Sequence, residues 1–226
     1  MLPAIHLGPL TLQTFGLSLA LGFLAIGAMM ARRLRELGRP VDWAYEAVLV
    51  AAVGGVVGAR LDWIAQNPDK VGGDVVGSLF LGSGLVFFGG LAGGAAAVIL
   101  WARWRGFLNG QLFDLAAAGI ALGYAVGRIG CQLSGDGDYG VASDVPWAMA
   151  YPEGTVPTDE LVHPTPVYET VAMGLVALAL WHLRGRYRPG TLFGAYLVLA
   201  GVERFLVEFI RRNEEVAAGL TLAQLL

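Results

Sequence analysis

Long apolar stretches alternate with short polar ones along this chain. Residues 12–31 hold no charged side chain, and mostly apolar runs follow at 43–65, 79–102, 112–131, 166–183 and 191–210. A helix needs about 20 mostly apolar residues to cross a bilayer. The pattern therefore predicts six transmembrane helices. A final apolar stretch, 220–226, would reach only about 10 Å as a helix. It either starts a truncated seventh helix or lies at the membrane interface. The expected fold class is an all-α polytopic membrane protein, with residues 1–226 forming one integral membrane domain.

Segment 129–165 interrupts the pattern. It is rich in glycine and acidic residues, and it also carries Trp147, Tyr151, Pro146, Pro152 and Pro157. Flexible linkers of such length are less aromatic, so an ordered polar cap is expected there.

Basic residues orient the spans. Arg32, Arg33, Arg35 and Arg39 follow the first span, Arg103 and Arg105 the third, and Arg184, Arg186 and Arg188 the fifth. Segment 129–165 has no Lys or Arg, and loop 66–78 has only Lys70. Lys and Arg gather on the cytoplasmic side. The N-terminus and the 129–165 cap are thus expected outside the cytoplasmic membrane. A cleaved signal peptide would carry its positive charges before the apolar run; here they come after it. Trp43, Trp63, Trp101, Trp104 and Trp181 lie near span ends, as an interfacial belt would.

Composition sharpens this. Of the residues, 56% are hydrophobic and 15% charged, with mean hydropathy +0.61. Soluble domains carry roughly 25% charged residues. Net charge is −3, which argues against a nucleic-acid partner, and one Cys excludes an internal disulfide. No Cys/His spacing suggests a metal, and no cofactor is expected. The 33 glycines are expected chiefly at helix contacts, where small residues let backbones approach. Gly54 with Gly58, Gly90 with Gly94, and Gly119 with Gly123 and Gly127 have the spacing for this.

Ionisable groups within spans are costly and usually face a cavity. Arg60, Arg128, Glu169, Glu203, Arg204 and Glu208 all fall toward the expected outer side. Snorkelling and structural ion pairs are one reading of them. The other is a site in which arginines bind a phosphate bidentately. Entry of a phospholipid headgroup from the bilayer would fit, because the acidic cap repels bulk anions. His163 is either a structural histidine or a proton acceptor. Solitary Cys131 reads first as a packing residue.

At this point the residues resemble a known family. Gly127-Arg-Ile-Gly130 with Gly135-Asp136 and Tyr139-Gly140 is similar to the signature of prolipoprotein diacylglyceryl transferases. Further matches follow in order: Thr14-Phe-Gly16, Gly58-Ala-Arg60-Leu61, Phe87-Phe-Gly-Gly-Leu91, His163-Pro-Thr-Pro-Val-Tyr-Glu169, Arg204-Phe-Leu-Val-Glu208 and Leu222-Ala-Gln-Leu-Leu226. The resemblance implies transfer of diacylglycerol from phosphatidylglycerol to the lipobox cysteine of a preprolipoprotein signal peptide. A thioether forms and glycerol 1-phosphate leaves. It implies catalytic roles for Arg128 and Arg204, and a site shaped by Arg60, Asp136, Tyr168, Glu169, Glu208 and Cys131. The partners would be phosphatidylglycerol, the signal peptide and the bilayer of the bacterial inner membrane.

The chain departs from the pattern at Phe88, where the family has His, at Cys131 for Asn and at Phe15 for Tyr. The Gly135–Gly140 turn is one residue longer. Phenylalanine accepts no proton, so the base moves to His163 or an acidic residue of the cap. The alternative is a relative that binds or moves phospholipid without this transfer.

Overall fold

The computed structural model describes residues 1–71, 86–213, 215–217 and 219–225. The first residues of the expected 79–102 span, most of loop 66–78, Glu214, Ala218 and Leu226 lie outside the described residues. Two compact units emerge, Met1–Met29 with Phe113–Leu226, and Met30–Leu112. Each is described by itself.

The elements run β1 (Ala4–Leu7), β2 (Leu10–Gln13), α1 (Thr14–Glu36), α2 (Asp42–Gln66), α3 (Pro68–Val71), α4 (Phe87–Trp104) and α5 (Gly110–Ser134). Then come β3 (Met149–Tyr151), β4 (Thr158–Val162), α6 (Thr165–Leu183), α7 (Thr191–Glu208), β5 (Glu215–Ala217), β6 (Leu220–Thr221) and α8 (Leu222–Leu225). The chain is mostly helical, as the apolar periodicity predicts. Among the described residues, α1, α2, α5 and α6 are long and apolar enough to cross a membrane. The burial pattern is inverted relative to a water-soluble domain. Leu24, Leu49, Leu100, Leu175 and Val198 face outward, while Thr14, Ser18, Arg60, Thr165, Glu169 and Glu208 are buried.

The β-strands were not expected. Three antiparallel hairpins pair β1 with β2, β3 with β4, and β5 with β6. The first turns through Gly8–Pro9, with Gly8 at φ 63°, the left-handed value that the first central position of a type II′ turn requires. It is tied back by the Leu2 N–H, which donates to Leu133 O at 2.8 Å, and by the Thr14 hydroxyl, which donates to Leu2 O. The run 12–31 therefore belongs partly to a strand: the helix starts at Thr14.

In the 30–112 unit, α2 and α4 pack backbone to backbone. A methyl group at Gly58 would meet Gly93 Cα at 2.7 Å and Gly89 O still closer. Gly54 faces Gly93 O at 2.8 Å. The tightest contacts on α4 are thus Gly89 and Gly93, ahead of the expected Gly90 and Gly94, whose added methyls would meet Ala59 Cβ at 3.3 Å and Ala51 O at 3.1 Å. Trp101 points inward rather than into a belt. Its indole N–H donates to Glu46 at 2.9 Å, and Arg105 pairs with the same carboxylate.

In the other unit, α5 packs on α1 through Gly123 and Gly119, which face Ile26 and Gly22. Gly127 has no atom within 4 Å of its added methyl, so it is not a packing glycine. The next close contact of α5 with α1 is at Gly130, whose added methyl would meet Ser18 Cβ at 2.6 Å. Buried Ala121, Ala125, Met173 and Ala177 join α5 to α6. Asp114 accepts the backbone N–H groups of Gly190 and Phe193 at 2.8 and 2.9 Å, which satisfies the open N-terminus of α7.

The glycine contacts lead to a comparison. Gly58→Ala should lower stability by about 1–3 kcal/mol, the usual cost of overpacking. Gly174→Ala, with nothing within 4 Å, should leave stability unchanged or slightly raised, since alanine favours helix. Thermal unfolding of the detergent-purified variants measures both.

Candidate functional site

Three chain segments converge around loop 135–143. Helix α5 ends at Ser134 because Gly135 takes φ 59° and its N–H still bonds Cys131 O at 2.9 Å, a glycine helix stop. Residues 129–134, expected in the cap, therefore remain helical. The loop then passes between the start of α6 and the end of α7. The Gly140 N–H donates to His163 O at 2.8 Å, and the Val141 N–H donates to Ile210 O at 2.9 Å. A side chain at Gly140 would collide with Ile210 O and approach His163 Cβ at 3.0 Å, so the strap fits only with glycine there. Segment 135–165 packs on itself. Tyr139 stacks on Tyr151 with ring centroids 4.8 Å apart, and its hydroxyl donates to Val156 O at 3.0 Å.

This strap delivers Asp138 to two arginines. Arg128 of α5 pairs with Asp138 and, through Nε at 2.6 Å, with Glu169 Oε2. Arg211, just past α7, pairs with the other oxygen of Asp138 and, through Nη1 at 2.9 Å, with Glu169 Oε1. The four side chains close a ring of two cations and two anions. The Tyr124 hydroxyl donates to Glu169, and its oxygen accepts from Arg128 Nη2 at 3.1 Å. Glu169 is fully buried. Burial raises the Asp138 carboxyl, but Arg128 and Arg211 pull harder and hold it below its ordinary range. Arg211 is likewise held in its charged form: burial works against the charge, and Asp138 and Glu169 outweigh it.

A second cluster adjoins the ring. Glu208 lies 4.0 Å from Arg211 Nε and 2.8 Å from Arg204 Nη2. Its Oε1 accepts from Asn213 and from Thr221, both at 2.7 Å. Arg204 Nη1 is buried and has no hydrogen-bond partner among the described residues. Arg128 and Arg204 are thus members of one charge network, linked through Arg211 and Glu208. Thr221 and the short helix α8 dock on the end of α7, where Gln224 donates to Phe205 O at 3.3 Å.

A third group runs along the strap's other side. The Trp147 indole N–H donates to the Tyr168 hydroxyl at 2.6 Å, and that hydroxyl lies 3.1 Å from His163 Nδ1. Trp147 can only donate, so the arrangement that uses every proton has Tyr168 O–H donating to His163 Nδ1.

The residues picked from sequence divide accordingly. Arg128, Glu169, Arg204 and Glu208 share the network, and His163 pairs with Tyr168. Cys131 is buried, with its sulfur 3.7 Å from Arg128 Nη1. Among the described residues Asp136 pairs with neither arginine of the ring: its Oδ1 accepts the Asp138 backbone N–H at 3.4 Å. Cys131, Asp136 and Asp138 have ligand atoms within 4.8 Å of one another, but Arg128 already supplies the positive charge at that spot. Arg60 lies on α2 in the other unit, buried, its guanidinium 4.3 Å above the Trp63 ring. Phe88, on α4 of that unit, is 58% exposed.

Sequence reasoning missed Arg211, Tyr124 and the central position of Asp138. The available signal for Arg211 was its place three residues after Glu208, one turn on from the Arg204–Glu208 pair.

Comparison with known proteins decides the family. The model of the prolipoprotein diacylglyceryl transferase family matches residues 3–226. The chain belongs to the prolipoprotein diacylglyceryl transferase family. A phosphatidylglycerol–prolipoprotein diacylglyceryl transferase of Rhodospirillum centenum is 34% identical over 245 residues, covering 99% of this chain and 85% of that protein. One from Dehalococcoides mccartyi is 31% identical, covering 98% and 86%. One from Clostridium tetani is 29% identical, covering 89% and 82%. With apolar helices long enough to span, membership in this family makes the chain a multi-pass membrane protein. Arg128, Glu169, Arg204, Glu208 and Arg211 form one connected charge network, in which Glu169 and Glu208 are buried.

Proposed function

We propose that this protein transfers the diacylglyceryl group of phosphatidylglycerol to the lipobox cysteine of a preprolipoprotein. The observation that carries the reading is the buried Nη1 of Arg204, which has no hydrogen-bond partner among the described residues although Nη2 of the same group pairs with Glu208, within a network that includes Arg128. A buried donor without a partner is costly, and an incoming phosphate oxygen would satisfy it. The relatives' names supply the reaction.

The chemistry assigns roles as follows. The cysteine thiol gives its proton to the Tyr168 oxygen as the Tyr168 proton passes to His163 Nδ1. The thiolate attacks the glyceryl carbon bonded to the phosphate oxygen, and that C–O bond breaks. The electron pair leaves with the phosphate as glycerol 1-phosphate. Arg128 and Arg204 stabilise the developing phosphate charge. Glu208 and Glu169 hold the two arginines, while Asp136 braces the strap. Cys131 packs behind Arg128, and Arg60 contributes the positive charge of its own helix. No metal or cofactor takes part in this scheme.

The same reading places the protein as one integral membrane domain in the bacterial inner membrane. It has six spans, with the short helix α8 docked on the end of α7. The N-terminus and the polar cap lie on the extracytoplasmic side, and the nine arginines of the three basic loops lie in the cytoplasm.

The test is purified protein with phosphatidylglycerol and a lipobox peptide, read as release of glycerol 1-phosphate. His163→Ala and Tyr168→Phe should each reduce turnover about 10²–10⁴-fold, the usual contribution of a positioned base. Full activity in both variants would move the base elsewhere. Binding of phosphatidylglycerol without release, in folded wild-type protein, would favour the non-transferring relative instead.

A further inference from the structure

The ring of Arg128, Arg211, Asp138 and Glu169 is closed and neutral, and its two carboxylates are not equivalent. Glu169 is completely buried, and its three neighbours, Arg128, Arg211 and Tyr124, are partly buried. It cannot leave without stranding both guanidiniums. Asp138 is the exposed member: 32% of its side chain is accessible, against 16% for Arg128 and 9% for Arg211. Its oxygens take one arginine each, Oδ2 on Arg128 and Oδ1 on Arg211. Two oxygens on one centre, bridging two guanidinium forks, is also how a phosphate group would sit, because arginine presents the same donors to both anions.

The loop allows that carboxylate to withdraw. The Asp138 backbone is fixed, since its carbonyl accepts from the Thr165 hydroxyl at 2.5 Å. Among the described residues, the side chain bonds only to the two arginines. Rotation about its own Cα–Cβ bond therefore frees it without unfolding the strap. With Asp138 swung away, two arginines face one carboxylate, and the pocket gains a net positive charge.

We propose that Asp138 is an internal stand-in for the substrate's phosphate: an anionic phosphodiester binds between Arg128 and Arg211 by displacing it. This rests on the reading that the Arg128 network receives the phosphate of phosphatidylglycerol. It adds a third arginine to the phosphate seat and a self-ligand that competes for it. While empty, the ring keeps two buried cations paired. While filled, the same donors are handed to the leaving group. Asp138 thus sets the affinity of the site.

The experiment compares wild type, Asp138→Asn and Asp138→Glu in lipid nanodiscs of phosphatidylcholine. Phosphatidylglycerol is titrated in, with inorganic phosphate and glycerol 1-phosphate in parallel. Asn keeps the shape and removes the charge, so phosphatidylglycerol should bind about tenfold tighter or more. KM should fall by a similar factor. Glu keeps the charge and should give no tightening. Tightening for free phosphate as well says that the seat reads the phosphate alone; tightening for the lipid only says that the acyl chains are needed too. Either supports the displacement.

If Asp138→Asn is too unstable in phosphatidylcholine, the same result is read as recovery of folded protein on adding phosphatidylglycerol. No recovery overturns the proposal. So does a folded Asp138→Asn that binds no tighter than wild type. When wild type itself binds and turns over phosphatidylglycerol, that result removes the stand-in alone. When wild type shows no preference for phosphatidylglycerol over phosphatidylcholine, the reading of the site falls with it.

Discussion

Glu169→Gln should lower stability by about 3–5 kcal/mol, the typical cost of breaking a buried ion pair from one side. For a chain of this length that corresponds to a melting temperature lower by about 6–20 °C. The wild-type carboxylate is wholly buried and receives donors on both oxygens. Arg211 Nη1 donates to Oε1 at 2.9 Å, and Arg128 Nε with the Tyr124 hydroxyl takes Oε2. A glutamine offers one oxygen. Its amide nitrogen would face guanidinium or hydroxyl donors, so at least one buried donor is stranded and one arginine loses its counter-charge. The comparison is Glu160→Gln. Glu160 also pairs with an arginine, Arg212 at 2.8 Å, but its side chain is 68% exposed. Exposed pairs contribute about 0–1 kcal/mol, so this variant should melt close to wild type. Thermal unfolding in detergent separates the two. Equal melting temperatures would show that the ring is not what holds α5, α6 and the strap together.

That contrast explains which parts of the molecule were readable from sequence. Glu169 stood out because a carboxylate in an apolar run needs a partner, and the same reasoning found Arg128, Arg204 and Glu208. Arg211 follows the last apolar run, where a basic residue reads as an ordinary helix flank. Tyr124 is one aromatic among many on an apolar helix, and nothing in its spacing marks its hydroxyl. Asp138 is one of several acids in the cap. Its role depends on Gly140 passing between Ile210 and His163, a contact between segments some 70 and 23 positions apart in sequence. Helices were legible because their signal is local and repeats over many residues. The three hairpins are only two to five residues per strand, too short to show an alternation, and two of them follow the tertiary contacts of the cap and of α7. Glycine packing was legible in kind but not in register. Small residues at four-residue spacing mark a helix face, yet the choice of Gly89 and Gly93 over Gly90 and Gly94 depends on how α4 is rotated against α2.

Arg128→Lys should leave a folded protein and reduce turnover about 10²–10³-fold, the loss seen when one positioned donor to a developing oxyanion is removed. Lysine keeps the positive charge, so the carboxylates of Asp138 and Glu169 still have a second cation beside Arg211. It does not keep the geometry. Arg128 uses Nε toward Glu169, Nη1 toward Asp138 and Nη2 toward Tyr124, three directions fixed in one plane. An ammonium group is a single point on a flexible stem and cannot hold all three while offering a fork to a phosphate. The deficit should appear in kcat as well as in KM, because the charge on the leaving oxygen is greatest as the C–O bond breaks. Release of glycerol 1-phosphate over a range of phosphatidylglycerol concentrations gives both constants. A rise in KM with kcat unchanged would make Arg128 a binding residue only, and would leave Arg204, whose Nη1 has no partner among the described residues, to carry the charge of the leaving group.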